Sequence, residues 1–128
     1  MEVIARFSMT VAVVIMVTTF IGIVYAIGIN RTITLSRHAV SHPYAYAALA
    51  INLTIAAALM TVFLTVWLVP TFHMSGSYIL TFMAIQLCTV LVGWIPDKKG
   101  WMRTIHLASA GILFLLLPVL NLLMALNP

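Results

Sequence analysis

Chemistry in this sequence has to be sought among few side chains: four histidines, one cysteine and two acids in 128 residues. His38 and His42 are four residues apart, and His106 is expected near the same membrane face. Three imidazoles could therefore approach one another and hold a metal through their ring nitrogens. Against this, Pro43 disfavours helical backbone at His42, Asp97 is the only carboxylate in reach, and a loop histidine beside Arg37 ordinarily meets lipid headgroups. A b-type haem needs two imidazoles within a helical bundle, and only His106 is clearly placed there. His73 falls on the opposite side and joins neither set. The chain is expected to carry no cofactor, with a metal at His38, His42 and His106, or haem at His106, as the alternatives. Cys88 lies inside an apolar run, which excludes a disulfide framework or a thiolate metal site within one chain. No GxSxG elbow, Gly-rich phosphate loop or HExxH helix is present, so no catalytic residue can be named and the expectation leans away from an enzyme.

A second set of candidates is polar but uncharged. Asn52, Gln86, His106 and Ser109 lie inside apolar runs, with Asn121 toward the far end of the last one. At about 1.5 Å per residue, Asn52 should lie about 10 Å inside its helix, Gln86 near mid-membrane and His106 about one turn in. Asn52, Gln86 and His106 could converge on one pocket in the inner half of a bundle. The alternative is interhelical hydrogen bonding, worth roughly 0.6 kcal/mol per bond in membrane proteins. No Asp, Glu, Lys or Arg sits in the middle of any run, which argues against ion-coupled transport of the carboxylate type.

The elements that must position these residues follow from composition. The chain is 64% hydrophobic and 6% charged, against roughly 45–50% and about 25% in ordinary soluble domains. A soluble domain of this length cannot bury so much apolar surface, so lipid must cover it. Four runs, near 7–28, 45–69, 77–95 and 102–126, approach or exceed the roughly 20 helical residues that span a hydrocarbon core. In lipid the backbone must satisfy itself, so the runs are helices, and the lack of polar alternation excludes a barrel. The expected fold is all-α, a four-transmembrane-helix bundle in which residues 1–128 form one integral membrane domain. Connections fall at 29–44, 70–76 and 96–101, where Asn30, Pro43, Pro70, Gly76, Pro96 and Gly100 act as breakers. The first apolar run is longer than the core of a secretory signal, which favours a retained anchor.

Charge sets the orientation. Arg31 and Arg37 in the first connection and Lys98, Lys99 and Arg103 around the third put five bases at one end, against Arg6 at the other. By the positive-inside rule both termini face away from the cytoplasm. Tyr44, Tyr46, Trp94 and Trp101 are then inner-interface anchors, and Trp67 and Tyr78 outer ones. The bases are dispersed in short segments, which argues against a nucleic-acid partner. Lys98, Lys99 and Arg103 form an inner-face cluster that either fixes topology or meets anionic headgroups.

Helices in lipid associate through small residues. Thr18, Gly22 and Ala26 form one such stripe, and Ala50, Thr54, Ala57, Thr61 and Thr65 another. Pro118 removes a backbone bond from the fourth helix and should bend it, freeing the Phe114 carbonyl.

The stretch Gly93-Trp94-Ile95-Pro96-Asp97, followed by Ile105-His106 and then Ala110, Phe114 and Leu115, carries a family likeness. It resembles the bacterial domain-of-unknown-function family numbered 998 and, more distantly, the Frag/DRAM/Sfk-type membrane proteins, in which a Pro-Asp turn precedes a helix that begins with a histidine. The resemblance covers the last two helices and carries over only Pro96, Asp97 and His106. Those families have about six helices against four here, and they bring a membrane bundle without an assigned reaction. The expected role is a non-catalytic multi-pass protein of a bacterial or archaeal plasma membrane, working as a homo-oligomer or as the small subunit of a membrane complex. A channel or carrier for a small neutral solute, lined by Asn52, Gln86 and Asn121, and a histidine-ligated redox protein are the alternatives.

Overall fold

A computed structural model describes residues 1–31 and 34–127, and among them all regular structure is helical. The elements are α1 (Glu2–Ile27), a short α2 (Leu35–Val40), α3 (Pro43–Phe63), a π turn (Leu64–Leu68), α4 (Val69–Phe72), α5 (Gly76–Trp94) and α6 (Trp101–Ala125). Four stretches, Glu2–Ile27, Pro43–Phe72, Gly76–Trp94 and Trp101–Ala125, are long and apolar enough to cross a membrane. They coincide with the four apolar runs to within a few residues.

The largest departure is at Pro70. As a breaker it should end the second span; instead the helix runs through it to Phe72 and stops only at His73, whose backbone is left-handed at φ 49°. Proline has no N–H to give the preceding turn and its ring crowds the carbonyl there. Immediately before it the helix widens into the π turn, and Pro70 then occupies the first turn of α4, where a missing N–H costs least. Pro118, by contrast, stands inside α6 with helix on both sides. Pro43 does end a connection, with extended His42 before it and helix after it. Helix α2, which the apolar pattern does not announce, is capped by Thr34, whose hydroxyl accepts the Arg37 N–H.

The spans pack in chain order: α1 on α3, α3 on α5, α5 on α6. Central α3 and α5 are the more buried pair, and α1 and α6 are peripheral. The Ala50 and Thr54 end of the α3 stripe meets α5. A Cβ on Gly93 would lie 3.3 Å from the Ala50 Cα, so the two backbones come close there and any larger residue would have to move them apart by a few tenths of an ångström or more. One turn away Trp94 Nε1 donates to the Thr54 hydroxyl at 2.6 Å, while Tyr46 donates to the Trp94 carbonyl at 2.6 Å. The stripe expected on α1 is not the one that packs. Ala5, Ser8, Ala12, Thr19 and Ile23 are buried instead, and Thr18, Gly22 and Ala26 face outward. Near the far end Leu64, Leu68, Met74, Tyr78 and Phe82 form a core cluster. Tyr78, expected as an interface anchor, is therefore only 4% exposed. Trp67 packs at a tilt against Phe63 and edge-on to Phe72, with the Arg6 guanidinium 5.0 Å from its ring centre.

Candidate functional site

Among the described residues, buried side-chain oxygens without a hydrogen bond occur in two places. The first is where the α1–α3 and α5–α6 connections meet. Asp97 follows Pro96 in a tight turn closed by Lys98 N–H donating to the Pro96 carbonyl at 2.8 Å. The turn directs Asp97 inward, where it is 4% exposed. Its Oδ2 accepts the Thr34 hydroxyl at 3.1 Å, and Arg103 Nε lies 3.7 Å from Oδ1, which has no hydrogen bond of its own. His106, 4% exposed on the first turns of α6, has Nδ1 2.7 Å from the Ile95 carbonyl and Nε2 3.2 Å from Ser36 Oγ. Ser36 Oγ is in turn 3.2 Å from Thr34 Oγ1.

Proton placement follows from the donors. A carbonyl only accepts, so Nδ1 carries hydrogen, and in the neutral ring Nε2 then accepts the Ser36 hydroxyl. A carboxylate oxygen only accepts, so the Thr34 proton points to Asp97. In the imidazolium form the direction at Ser36 reverses: Nε2–H donates to Ser36, Ser36 to Thr34 and Thr34 to Asp97, giving one unbroken chain between a cation and a carboxylate. Either way the set ties the first connection to the start of α6 across 70 residues of sequence. A serine donating to a histidine held by a carbonyl also has the atoms of a nucleophile–base pair. Ser36 Oγ also lies 3.2 Å from Thr34 Oγ1.

The three expected histidines do not come together. His38 and His42 make an edge-to-face pair with ring centres 5.0 Å apart, and His38 Nε2 bonds the Ile27 carbonyl at 2.9 Å. His106 is committed to Ile95 and Ser36. Among the described residues no three His, Cys, Asp or Glu side chains form a group that could hold a metal. Lys98 and Lys99 are exposed beside the Asp97 turn, and Arg103 belongs to it through Asp97.

Nor do the polar span residues form one pocket. Asn52 Nδ2 donates to Thr19 Oγ1 at 2.9 Å, joining α3 to α1. Ser109 is buried on α6 below His106, and Asn121 is exposed on the same helix. Gln86 is the second place of interest. It is 7% exposed, its Nε2 reaches only the Met60 sulfur at 3.9 Å, and its Oε1 has no partner. Asn52 and Gln86 line different cavities. A groove of about 520 Å³ runs between α1 and α3, lined by Thr18, Gly22, Ala26, Ala48 and Asn52 among others. A cleft of about 500 Å³ opens between α1 and α6 over α3 and α5, with Gln86 in its wall. The sequence singled out Gln86 but carried no sign that it, and not Asn52, would be left without a bond.

The four helices define an all-helical protein built like a small multi-pass membrane protein. The chain matches no family model, no curated protein and no solved structure.

Proposed function

We propose that this chain is a non-catalytic membrane subunit that assembles with a second copy of itself through the groove between α1 and α3. The observation that carries the reading is the outward-facing stripe of Thr18, Gly22 and Ala26. At Gly22 a Cβ would meet nothing within 4 Å, so the backbone there is open to another helix. Close backbone approach is the main source of association in lipid, where apolar area alone gives no advantage over acyl chains. Thr18 donates to the Val14 carbonyl at 2.6 Å, so an approaching helix meets no unpaired hydroxyl. The polar set around Asp97 and His106 braces the connections of the subunit. The reading puts that end, with its five bases, in the cytoplasm and both termini outside a bacterial or archaeal plasma membrane, and the positive-inside rule supports this orientation.

Photobleaching of singly labelled protein in dilute lipid vesicles tests the assembly. Wild type is expected to bleach in two or more steps, and Gly22→Leu, which fills the groove, mainly in one. Single-step bleaching of the wild type at every lipid dilution would refute self-assembly. Labelling of single cysteines in a Cys88→Ser background tests orientation: Lys99→Cys is expected to be protected in intact cells and Ser75→Cys to react.

A further inference from the structure

The cleft between α1 and α6 differs from the groove between α1 and α3 in one respect that bears on ligand binding. Apart from Gln86 and Thr89, whose hydroxyl already donates to the Ile85 carbonyl at 2.9 Å, its lining is apolar, with Met16 and Phe20 on α1, Met60 on α3, and Leu113 and Leu117 on α6. Gln86 lies ten residues into α5, about 15 Å from the Gly76 end at 1.5 Å per residue. Water does not serve a carboxamide at that depth, and a buried amide oxygen without a donor is costly. Its nitrogen has only a thioether sulfur, a weak acceptor, at 3.9 Å. Asn52, the comparable amide on α3, is paired to Thr19. The unpaired amide thus lines a cavity of about 500 Å³, inside the range of small-molecule sites.

We propose that the α1–α6 cleft binds a neutral, largely apolar molecule bearing a single hydroxyl, a long-chain or isoprenoid alcohol, with Gln86 as its one polar anchor. Oε1 is covered in the structure, so binding turns the Gln86 carboxamide toward the cleft, where the hydroxyl donates to Oε1 and accepts from Nε2–H. A charged headgroup is disfavoured, because no Asp, Glu, Lys or Arg lines the cleft to pair with it. Met9, Met16 and Met60 give the walls unbranched, adaptable side chains suited to a flexible chain. The site is independent of the α1–α3 groove, and a self-assembling protein need not bind an alcohol there.

The test is photolabelling of the full-length protein in phosphatidylcholine nanodiscs with a hexadecanol carrying a mid-chain diazirine, read by peptide mapping. Labelled peptides are expected from α1 and α6. Unlabelled hexadecanol should compete about tenfold better than its methyl ether, which has lost the donor; tenfold corresponds to one good hydrogen bond. Gln86→Leu should bring that ratio to about one while leaving the labelled positions unchanged. Leu117→Trp, which narrows the cleft from the α6 side without touching Gln86, should reduce labelling several-fold. Equal competition by alcohol and ether in the wild type would overturn the proposal even if neither variant folds. So would labels confined to helix faces outside the cleft, or an α1 wall that crosslinks to a neighbouring chain and is indifferent to alcohol.

Discussion

Asn52 and Gln86 are two amides at similar depth on the two central spans, and they have opposite fates. Asn52 donates across the α1–α3 contact to Thr19, whose hydroxyl is itself anchored on the Ile15 carbonyl at 2.6 Å. Gln86 faces a cleft where the neighbouring helix stands away, and its oxygen bonds to nothing. A polar residue inside a span is thus not one kind of object. Where the helices close, as α1 and α3 do, it is a joint between them. Where they stay apart, as α1 and α6 do, it is left available. The connection end follows the first pattern, with Thr34, Ser36, Asp97 and His106 bonded mainly to one another.

Substitutions should separate the joints from the available group. The largest effect is expected at the closest joint, Gly93: a leucine there would drive α3 and α5 apart around Ala50, costing about 3 kcal/mol. Steric-trap or mild-denaturant unfolding in bicelles reads this directly, and a cost under about 0.5 kcal/mol would mean that the helices do not touch there. Next is His106→Leu, which strands the Ile95 carbonyl and Ser36 and is expected to cost about 2 kcal/mol. His106→Gln, able to keep one of the two bonds, should recover part of it. Failure of glutamine to improve on leucine would show that the bonds do not carry the effect.

The spans themselves were legible because length and apolar composition alone decide them. Their boundaries held except where backbone detail intervened. Pro70 could not be read as internal, because a π turn that accommodates it depends on local hydrogen bonding and leaves no mark in residue type. The stripe of α3 was readable as a contact face because Ala50 and Thr54 meet a glycine and a tryptophan on α5. The stripe of α1 was readable as a run of small residues but not as one that faces away from α3: Thr18 and Thr19 are adjacent and chemically identical, and only the rotation of the helix turns Thr19 in and Thr18 out. The Asp97–Thr34 contact joins residues 63 apart that share no pattern, so Asp97 and His106 were visible as candidates while Thr34 and Ser36 were not.

The most direct measurement compares Asn52→Leu with Gln86→Leu by unfolding in bicelles without added ligand. Asn52→Leu is expected to destabilise by about 0.6 kcal/mol, the worth of an interhelical bond. Gln86→Leu should leave stability unchanged or raise it by up to about 1 kcal/mol, because it removes a buried amide whose oxygen has no partner and whose nitrogen has only a thioether sulfur. A loss at Gln86 as large as that at Asn52 would contradict the distinction and make both amides joints of the bundle.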